Sequence, residues 1–242
     1  MIIQSYLNKG IPDYMEDYII IKNFKDYNIR YKNHYCLCII DGHGGDSTAL
    51  FIKNNFCNIL YNCLQKNYSI SESIKITINS IEKTMINKKE KSGSTLCGMY
   101  ISNKYIYLFN IGDSKMILYN DKFNIIFQSI EHNTYNKSEI KNIKEHMDNN
   151  YIINSNSEYS INLTRTIGDY DFKDIINSEF EFKIIKKSDV KYIILASDGF
   201  WDLSIKNMNA YVKKIIMSGS KYKMLLNKNI YHDNVSIILV YL

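Results

Sequence analysis

Apolar residues follow two different periods along this chain, and each period predicts a different kind of element. In one stretch, apolar residues recur at the spacing of a single helix face, at Ile70, Ile74, Ile78, Ile81 and Met85. Elsewhere, short runs of β-branched and aromatic residues are bounded by turn residues, which is typical of strands. The sequence therefore predicts a mixed protein whose core is built by both helices and strands.

The two patterns place the elements along the chain. One helix is predicted from the N-cap Asp46 to about residue 65, a second begins at Ser69 or Ser71, and others span about 137–147 and 205–218. A polar, asparagine-rich loop follows residue 147. Strands are predicted at 2–7, 18–21, 36–40, 94–101, 105–111, 115–119, 123–128, 179–185, 191–196 and 235–241. The four strands from 94 to 128 are separated by short turns, as in an antiparallel meander.

Carboxylates recur where predicted strands begin or end, at Asp17, Asp41, Asp113, Asp198 and Asp233, and Asp202 follows one turn beyond. Acids that folding brings together repel one another unless a cation compensates their charge. Ligand sets made only of oxygen suit Mg²⁺ or Mn²⁺ rather than zinc. Two such ions about 3.5 to 4 Å apart can deprotonate a water, which suits hydrolysis of a phosphate ester.

The segment Asp41-Gly42-His43-Gly44-Gly45 brings this candidate chemistry to one strand end. Its glycines permit a tight turn and a close approach of ligands to the backbone. Taken alone, the segment is equally typical of an ordinary glycine turn, which is the commoner case. Glu16 and Asp17, at the entrance of another strand, point to opposite faces and in isolation would be read as solvated.

Composition and charge narrow the function classes. With 45% hydrophobic residues, a chain of 242 residues can build one sizeable core, so residues 1–242 are expected to form a single domain. The net charge of +5 comes from lysines scattered along the chain, and Arg30 and Arg165 are its two arginines. Nucleic acid favours clustered basic residues, so we expect no nucleic-acid partner.

Five cysteines make an odd number without a zinc-type spacing: Cys36, Cys38, Cys57, Cys63 and Cys97. With no signal-peptide pattern at the start, they favour a reducing, intracellular compartment, the cytoplasm or alternatively the nucleus. No apolar run approaches the roughly 18 residues of a membrane-spanning helix, so no membrane association is expected. A monomer is the default expectation for the oligomeric state.

Seven motifs stand in the order found in one known family. They are Met15-Glu16-Asp17, Asp41-Gly42-His43-Gly44-Gly45, Ser92-Gly93-Ser94-Thr95, Asn110-Ile111-Gly112-Asp113-Ser114, Thr164-Arg165-Thr166-Ile167-Gly168-Asp169, Ala196-Ser197-Asp198-Gly199-Phe200-Trp201-Asp202 and His232-Asp233-Asn234-Val235-Ser236. In this order the chain resembles metal-dependent protein phosphatases of the PPM, or PP2C-like, family. Each motif is weak evidence alone, but seven in order over almost the whole chain are strong evidence.

The resemblance implies an α+β fold, a four-layer α-β-β-α sandwich of two antiparallel sheets flanked by helices. It also implies hydrolysis of phosphoserine and phosphothreonine in proteins by a hydroxide that bridges two Mg²⁺ or Mn²⁺ ions. By resemblance, the two-metal centre is held by Glu16, Asp17, Asp41, the Gly42 carbonyl, Asp198 and Asp233, with Asp41 bridging and Glu16 acting through water. An additional, weaker site for a third ion comprises Asp113, Asp198 and Asp202. His43 resembles the general acid that protonates the leaving oxygen.

One position departs from the family pattern. Members usually carry a phosphate-binding arginine four residues before the glutamate of the first motif, and here that position is Pro12. Proline has neither a charge nor a backbone donor. Losing a charge-assisted hydrogen bond of about 1.5 to 3 kcal/mol corresponds to a 10- to 150-fold loss in efficiency. Lys9 is a candidate for partial compensation as a flexible point charge.

The spacing between motifs is also short, with 28 residues between Asp169 and Asp198 and 30 between Asp202 and Asp233. A less selective cleft, or dependence on a partner for targeting, follows as a hypothesis. Two further functions stay open beside the phosphatase. Pro12 motivates a pseudophosphatase that binds phosphoproteins with little or no turnover, and the same acids would also suit hydrolysis of a non-protein phosphate.

Overall fold

Two antiparallel sheets lie at the centre of a computed structural model of the protein, which describes residues 1–155 and 157–242. Its strands, in chain order, are β1 (Ile2–Asn8), β2 (Asp17–Asn23), β3 (Tyr35–His43), β4 (Gly93–Ser94), β5 (Leu96–Ile101), β6 (Tyr105–Ile111), β7 (Lys115–Tyr119), β8 (Ile125–Gln128), β9 (Met147–Asp148), β10 (Tyr151–Ile152), β11 (Ile167–Gly168), β12 (Glu181–Lys186), β13 (Tyr192–Ala196) and β14 (Val235–Tyr241). The α-helices are α1 (Ser47–Gln65), α2 (Ile70–Asn87), α3 (Asp198–Trp201), α4 (Met208–Met217) and α5 (Tyr222–Leu226).

The strands divide between the sheets without following chain order. The five-stranded sheet has the order β1-β14-β13-β7-β8. The seven-stranded sheet has the order β11-β4-β3-β5-β6-β12, and β2 also pairs with β3. A separate ladder joins β9 and β10. Because β1 and β14 pair along their whole length, the two ends of the chain are held in the same sheet.

Alternation along β3 shows how the layers are built. Leu37 and Ile39 face the five-stranded sheet, where they pack with residues such as Leu195 and Ile238. Cys36 and Cys38 face the opposite way, into the core beneath α1 and α2. All five cysteines are free and buried, as expected for small apolar residues.

The four layers follow from three apolar clusters. One lies between the sheets, one between α1, α2 and the seven-stranded sheet, and one between α4, α5 and the five-stranded sheet. The predicted α-β-β-α sandwich is therefore confirmed. Within the described part of the chain, the helices are all too short or too polar to cross a membrane.

The predicted meander is wrong, because its strands belong to different sheets. β5 and β6 pair in the seven-stranded sheet, whereas β7 and β8 pair in the five-stranded one. The chain crosses between the sheets at Gly112, which has φ of +91°. A Cβ there would lie 2.6 Å from the Thr95 side chain, so both conformation and space require glycine.

Three local predictions also differ from the structure. The segment 137–147 forms two single 3₁₀ turns, Ile140–Asn142 and Lys144–His146, instead of one helix. The following asparagine-rich loop contains Asn156, which lies outside the described residues. Asp46 occupies the predicted N-cap position of α1, but its side chain makes no capping hydrogen bond; its carboxylate instead accepts from the Tyr18 hydroxyl at 2.7 Å. The predicted helix over 205–218 begins only at Met208.

Candidate metal-binding active site

Strand pairing places the first two acids side by side. Asp17 begins β2 and stands directly opposite Asp41 near the end of β3. Asp17 is 2% exposed, and its Oδ2 accepts a hydrogen bond from the Ser197 hydroxyl at 2.7 Å. Its other oxygen, Oδ1, is buried and has no hydrogen-bond partner among the described residues. A buried carboxylate oxygen without a donor is the kind of atom that a cation satisfies.

Asp41 also meets two acids from other parts of the fold. Asp113 lies in the turn between β6 and β7, and Asp198 begins α3 immediately after β13. One carboxylate oxygen from each of the three lies within 4.8 Å of the other two. Because β3 belongs to the seven-stranded sheet and β13 to the five-stranded one, the cluster forms where the two sheets meet.

The electrostatics of these acids fit a divalent cation. Burial raises the pKa of Asp17 to about 6, and it raises the pKa of Asp198 to about 7 with help from the charges of Asp233 and Asp202. Burial, together with neighbouring carboxylates, also raises the pKa of Asp41 and of Asp113 well above the usual value for an aspartate. Ionised together, these acids need positive charge nearby. An oxygen-only donor set matches Mg²⁺ or Mn²⁺.

The remaining predicted ligands surround this group. Asp233 is exposed beside the cleft, and its charge raises the pKa of both Asp41 and Asp198. Asp202 is also exposed, near enough to affect Asp113 and Asp198 but outside the three-acid group. The resemblance assigned Asp113 to the additional metal site, whereas its carboxylate lies in the same group as Asp41.

Gly42 and Glu16 hold the loop that follows β3. A Cβ at residue 42 would lie 2.9 Å from the Ala49 Cβ and 3.0 Å from the Glu16 carbonyl oxygen, so only glycine fits there. Glu16 accepts a hydrogen bond from the Gly45 amide at 2.7 Å, and burial raises the pKa of its carboxyl group. The predicted ligands Glu16 and Gly42 thus lie beside Asp41, in the wall of the same cleft.

His43 is held by an acid to which the sequence had assigned no role. Its Nε2 lies 2.8 Å from Oδ2 of Asp169, a carboxylate with no exposed surface. Burial by itself lowers the pKa of His43, but the charge and hydrogen bond of Asp169 outweigh it and the net pKa is raised. A side chain at Gly93 would collide with both partners, so the contact also depends on that glycine.

Asn234 organises the loop that contains Pro12. Its side-chain oxygen accepts from the Glu16 amide at 2.7 Å, and its side-chain nitrogen donates to the carbonyls of Lys9 and Tyr14 at 2.7 and 3.0 Å. The Lys9 ammonium lies 3.9 Å from the exposed carboxylate of Asp13. Asn234 belongs to the last of the sequence motifs, but no sequence pattern indicated that it would connect this loop to the acids.

Neither arginine of the chain substitutes for the phosphate-binding arginine that Pro12 replaces. Arg30 stacks on Tyr31 with 4.7 Å between the guanidinium carbon and the ring centroid. Arg165 forms two hydrogen bonds to Glu139, of 2.7 and 2.8 Å. Of the described residues, those lining the cleft of about 400 Å³ around Asp41 include no arginine or lysine.

Fold and cleft together define an α-β-β-α protein with a half-buried to buried group of acids suited to divalent cations. The sequence profile of the family described as Protein phosphatase 2C matches residues 7–231. The chain therefore belongs to the protein phosphatase 2C family, whose members are metal-dependent protein phosphatases.

Individual relatives agree with this assignment. Human Protein phosphatase 1B is 31% identical over 172 residues, covering 64% of this chain and 35% of the human protein. Bovine Protein phosphatase 1L is 28% identical over 221 residues, covering 83% of this chain and 59% of the bovine protein. The chain thus matches between 35% and 59% of the length of these two relatives.

Solved structures share the fold at low identity. A serine-threonine phosphatase 2C from Toxoplasma gondii superposes with a TM-score of 0.79 at 15% identity, covering 99% of this chain and 94% of that one. A sex-determining protein from C. elegans gives a TM-score of 0.77 at 18% identity, covering 99% of this chain and 64% of that one. At these identities the likeness shows the fold alone.

Proposed function

We propose that this protein hydrolyses phosphoserine and phosphothreonine in proteins with the help of Mg²⁺ or Mn²⁺. The observation that carries the proposal is the group formed by Asp41, Asp113 and Asp198, with the partnerless oxygen of Asp17 beside it. A binding module has no evident need for so many clustered acids, because withdrawing like charges from water and placing them together costs free energy. The buried, free cysteines are consistent with an intracellular location.

The proposed metal ligands are those that the resemblance gives: Glu16 through water, Asp17, Asp41, the Gly42 carbonyl, Asp198 and Asp233, with Asp113, Asp198 and Asp202 for a third ion. Bound there, divalent cations supply Lewis acidity toward the phosphate and lower the pKa of water. The negative charge of Glu16, Asp41 and Asp233 would otherwise repel an anionic substrate from the cleft.

His43 is the proposed general acid. The leaving seryl or threonyl oxygen is a poor leaving group unless it receives a proton as the phosphorus–oxygen bond breaks. The Asp169 carboxylate orients the imidazole ring and raises its pKa, which favours the protonated form that an acid requires. Asp169 is therefore a positioning residue in this scheme.

The proposal is tested by following phosphate release from a phosphothreonine peptide in the presence of Mn²⁺. Wild-type protein is expected to release phosphate, whereas Asp198→Asn is expected to lose that activity because it removes a charge from the acid group. Binding of Mn²⁺ by calorimetry without any turnover on phosphopeptides or aryl phosphates would overturn the proposal.

Pro12, and the lack of arginine and lysine among the described residues that line the cleft, favour one second candidate, a pseudophosphatase that binds phosphoproteins with little turnover. Lys9 lies in the same loop as Pro12, but its ammonium group is already paired with the carboxylate of Asp13. Pro12→Arg distinguishes the two functions. A gain of about 10- to 150-fold in activity is expected if the centre works but lacks a phosphate ligand. No activity in either the wild type or the variant would favour the binder.

A further inference from the structure

The lysines are scattered along the chain, but its net positive charge is not. Between Asp202 and Asp233 lie 30 residues with no acidic side chain and six lysines: Lys206, Lys213, Lys214, Lys221, Lys223 and Lys228. The chain has 30 basic and 25 acidic residues. Outside this segment there are therefore 24 basic residues and all 25 acidic ones, so the rest of the chain has no net positive charge. The whole positive balance of the protein therefore comes from the layer that α4 and α5 form.

A groove runs along the outside of this layer. It has a volume of about 610 Å³ and lies between α4 and α5. Its apolar lining includes Met217 and Met224, which are 68% and 66% exposed. Exposed, flexible thioethers are common on surfaces that adapt to a bound partner. The apolar lining has four lysines around it: Lys213, Lys214, Lys221 and Lys228.

The charge around the groove is not neutralised from within. None of these four lysines forms an ion pair with any residue in the described ranges 1–155 and 157–242. Lys213 lies 4.9 Å from the centroid of the Phe123 ring, which attracts the ammonium without cancelling its charge. The groove therefore presents apolar surface and positive charge together.

We propose that this groove, between α4 and α5, binds an acidic segment of a partner protein. Apolar side chains of the segment would pack on Met217 and Met224, and its carboxylates would face the surrounding lysines. This interaction is separate from the proposed phosphatase chemistry, because the groove and the cleft around Asp41 share no lining residue in the described part of the chain.

Two other anionic partners suit the groove less well. A bilayer surface is flat and would leave the concave, apolar part of the groove unfilled. Nucleic acid is preferentially recognised by arginine and by stacking on aromatic rings, and the groove lining has neither. A helix or extended chain with apolar side chains between carboxylates matches both the shape and the charge.

The test is fluorescence anisotropy of a labelled peptide in which Leu recurs at helical spacing and Glu fills the other positions. Intact wild-type protein is expected to bind it, and the same peptide with Gln for Glu is expected to bind much more weakly. The triple variant Lys214→Glu, Lys221→Glu, Lys228→Glu should bind the acidic peptide at least about tenfold more weakly, because attraction becomes repulsion at three positions. Lys83→Glu, an exposed lysine on α2 in the opposite layer, should leave binding unchanged.

Several outcomes would overturn the proposal: no binding of the acidic peptide, equal binding by the triple variant, or binding only to phosphatidylserine vesicles or duplex DNA. Circular dichroism melting establishes that the triple variant is folded. If it is not, Met217→Ser with Met224→Ser decides the matter, since it preserves the charge. This double variant should bind the acidic peptide more weakly than the wild type does, and unchanged affinity would contradict docking in the groove.

Discussion

His43 is held by a buried carboxylate, and that partner determines what the ring can do. Asp169 contacts Nε2 from the start of the 3₁₀ turn Tyr170–Phe172, where its own backbone has φ of +50°. Left-handed backbone is unfavourable for most residues, although Asp and Asn tolerate it better than other residues with a side chain. A strained backbone position that delivers a buried acid to a cleft imidazole is consistent with a functional role for the pair.

His43→Asn should slow hydrolysis of a phosphothreonine peptide by about 10²- to 10⁴-fold, the usual contribution of a general acid. Hydrolysis of p-nitrophenyl phosphate should fall far less, because nitrophenolate leaves without needing a proton. Steady-state kinetics on both substrates give the ratio of the two losses in activity. His146→Asn, at a half-buried histidine outside the cleft, is the control. Equal losses on the two substrates would argue against His43 as an acid.

The sequence predicted which acids lie together better than it predicted the contacts around them. Asp17, Asp41 and Asp198 occur at strand ends in motifs that resemble those of a known family, so their convergence could be expected, and their role as metal ligands stays a prediction. Asp169 and Asn234 also lie in motifs, but their roles depend on contacts across 126 and 218 residues of chain. Such contacts come from the packing of the whole fold, which local patterns do not specify.

At the scale of the elements, α2 shows how a local signal fixes a helix start. Ser69 and Ser71 were both candidates for its N-cap. Ser69 accepts from the Glu72 amide at 3.2 Å, and Glu72 accepts in return from the Ser69 amide at 2.9 Å. This reciprocal pair is a capping box, whereas Ser71 lies within the first turn.

Ser69→Ala should therefore lower the free energy of unfolding by about 1 kcal/mol, because amides at the start of α2 lose their acceptor. Ser71→Ala should change it by a few tenths of a kcal/mol at most, since alanine is the better helix former inside the turn. Urea unfolding of both variants measures the difference. Equal destabilisation by the two substitutions would contradict the assigned cap.

Helix prediction failed where apolar periodicity was short. Over 70–85 an unbroken apolar stripe coincides with a capping box, and the helix forms as predicted. Over 137–147, Ile140, Ile143 and Met147 have helical spacing, but they pack with Ile152 and Ile161 in a small separate cluster. Hydrogen bonds such as that from the Ile153 amide to the His146 carbonyl at 2.8 Å fold the segment back on itself. Tertiary contacts thus override a weak local preference.

At the scale of the whole molecule, His132 ties two parts of the active-site region together. Its amide donates to the Gly112 carbonyl at 2.9 Å, next to Asp113, and its carbonyl accepts from the Thr164 amide at 3.1 Å. Burial, together with the positive charge of Arg165, lowers the pKa of the His132 ring from 6.5 to about 4. The folded protein therefore keeps this ring neutral at pH values where the unfolded chain protonates it.

This depressed pKa predicts a loss of stability in acid. The contribution of His132 is fully present above pH 6.5 and is lost as the pH falls from 6.5 to about 4. The loss approaches roughly 3 kcal/mol at the acid end, at about 1.36 kcal/mol for each pH unit. His132→Gln should have a correspondingly shallower fall in unfolding free energy over that range, measured by urea titration at a series of pH values. Parallel curves for wild type and variant would refute this origin of acid sensitivity.

The proposed phosphatase depends on a working metal centre formed by acids from both sheets. Phosphate release from a phosphothreonine peptide, followed as MnCl₂ is titrated into protein stripped with EDTA, tests it most directly. Wild type and Asp121→Asn, an exposed acid at the tip of the β7–β8 hairpin, should both gain activity with added metal. Asp41→Asn should remain inactive at every concentration. Activity that survives EDTA, or that Asp41→Asn retains, would rule out catalysis by a metal centre that includes Asp41.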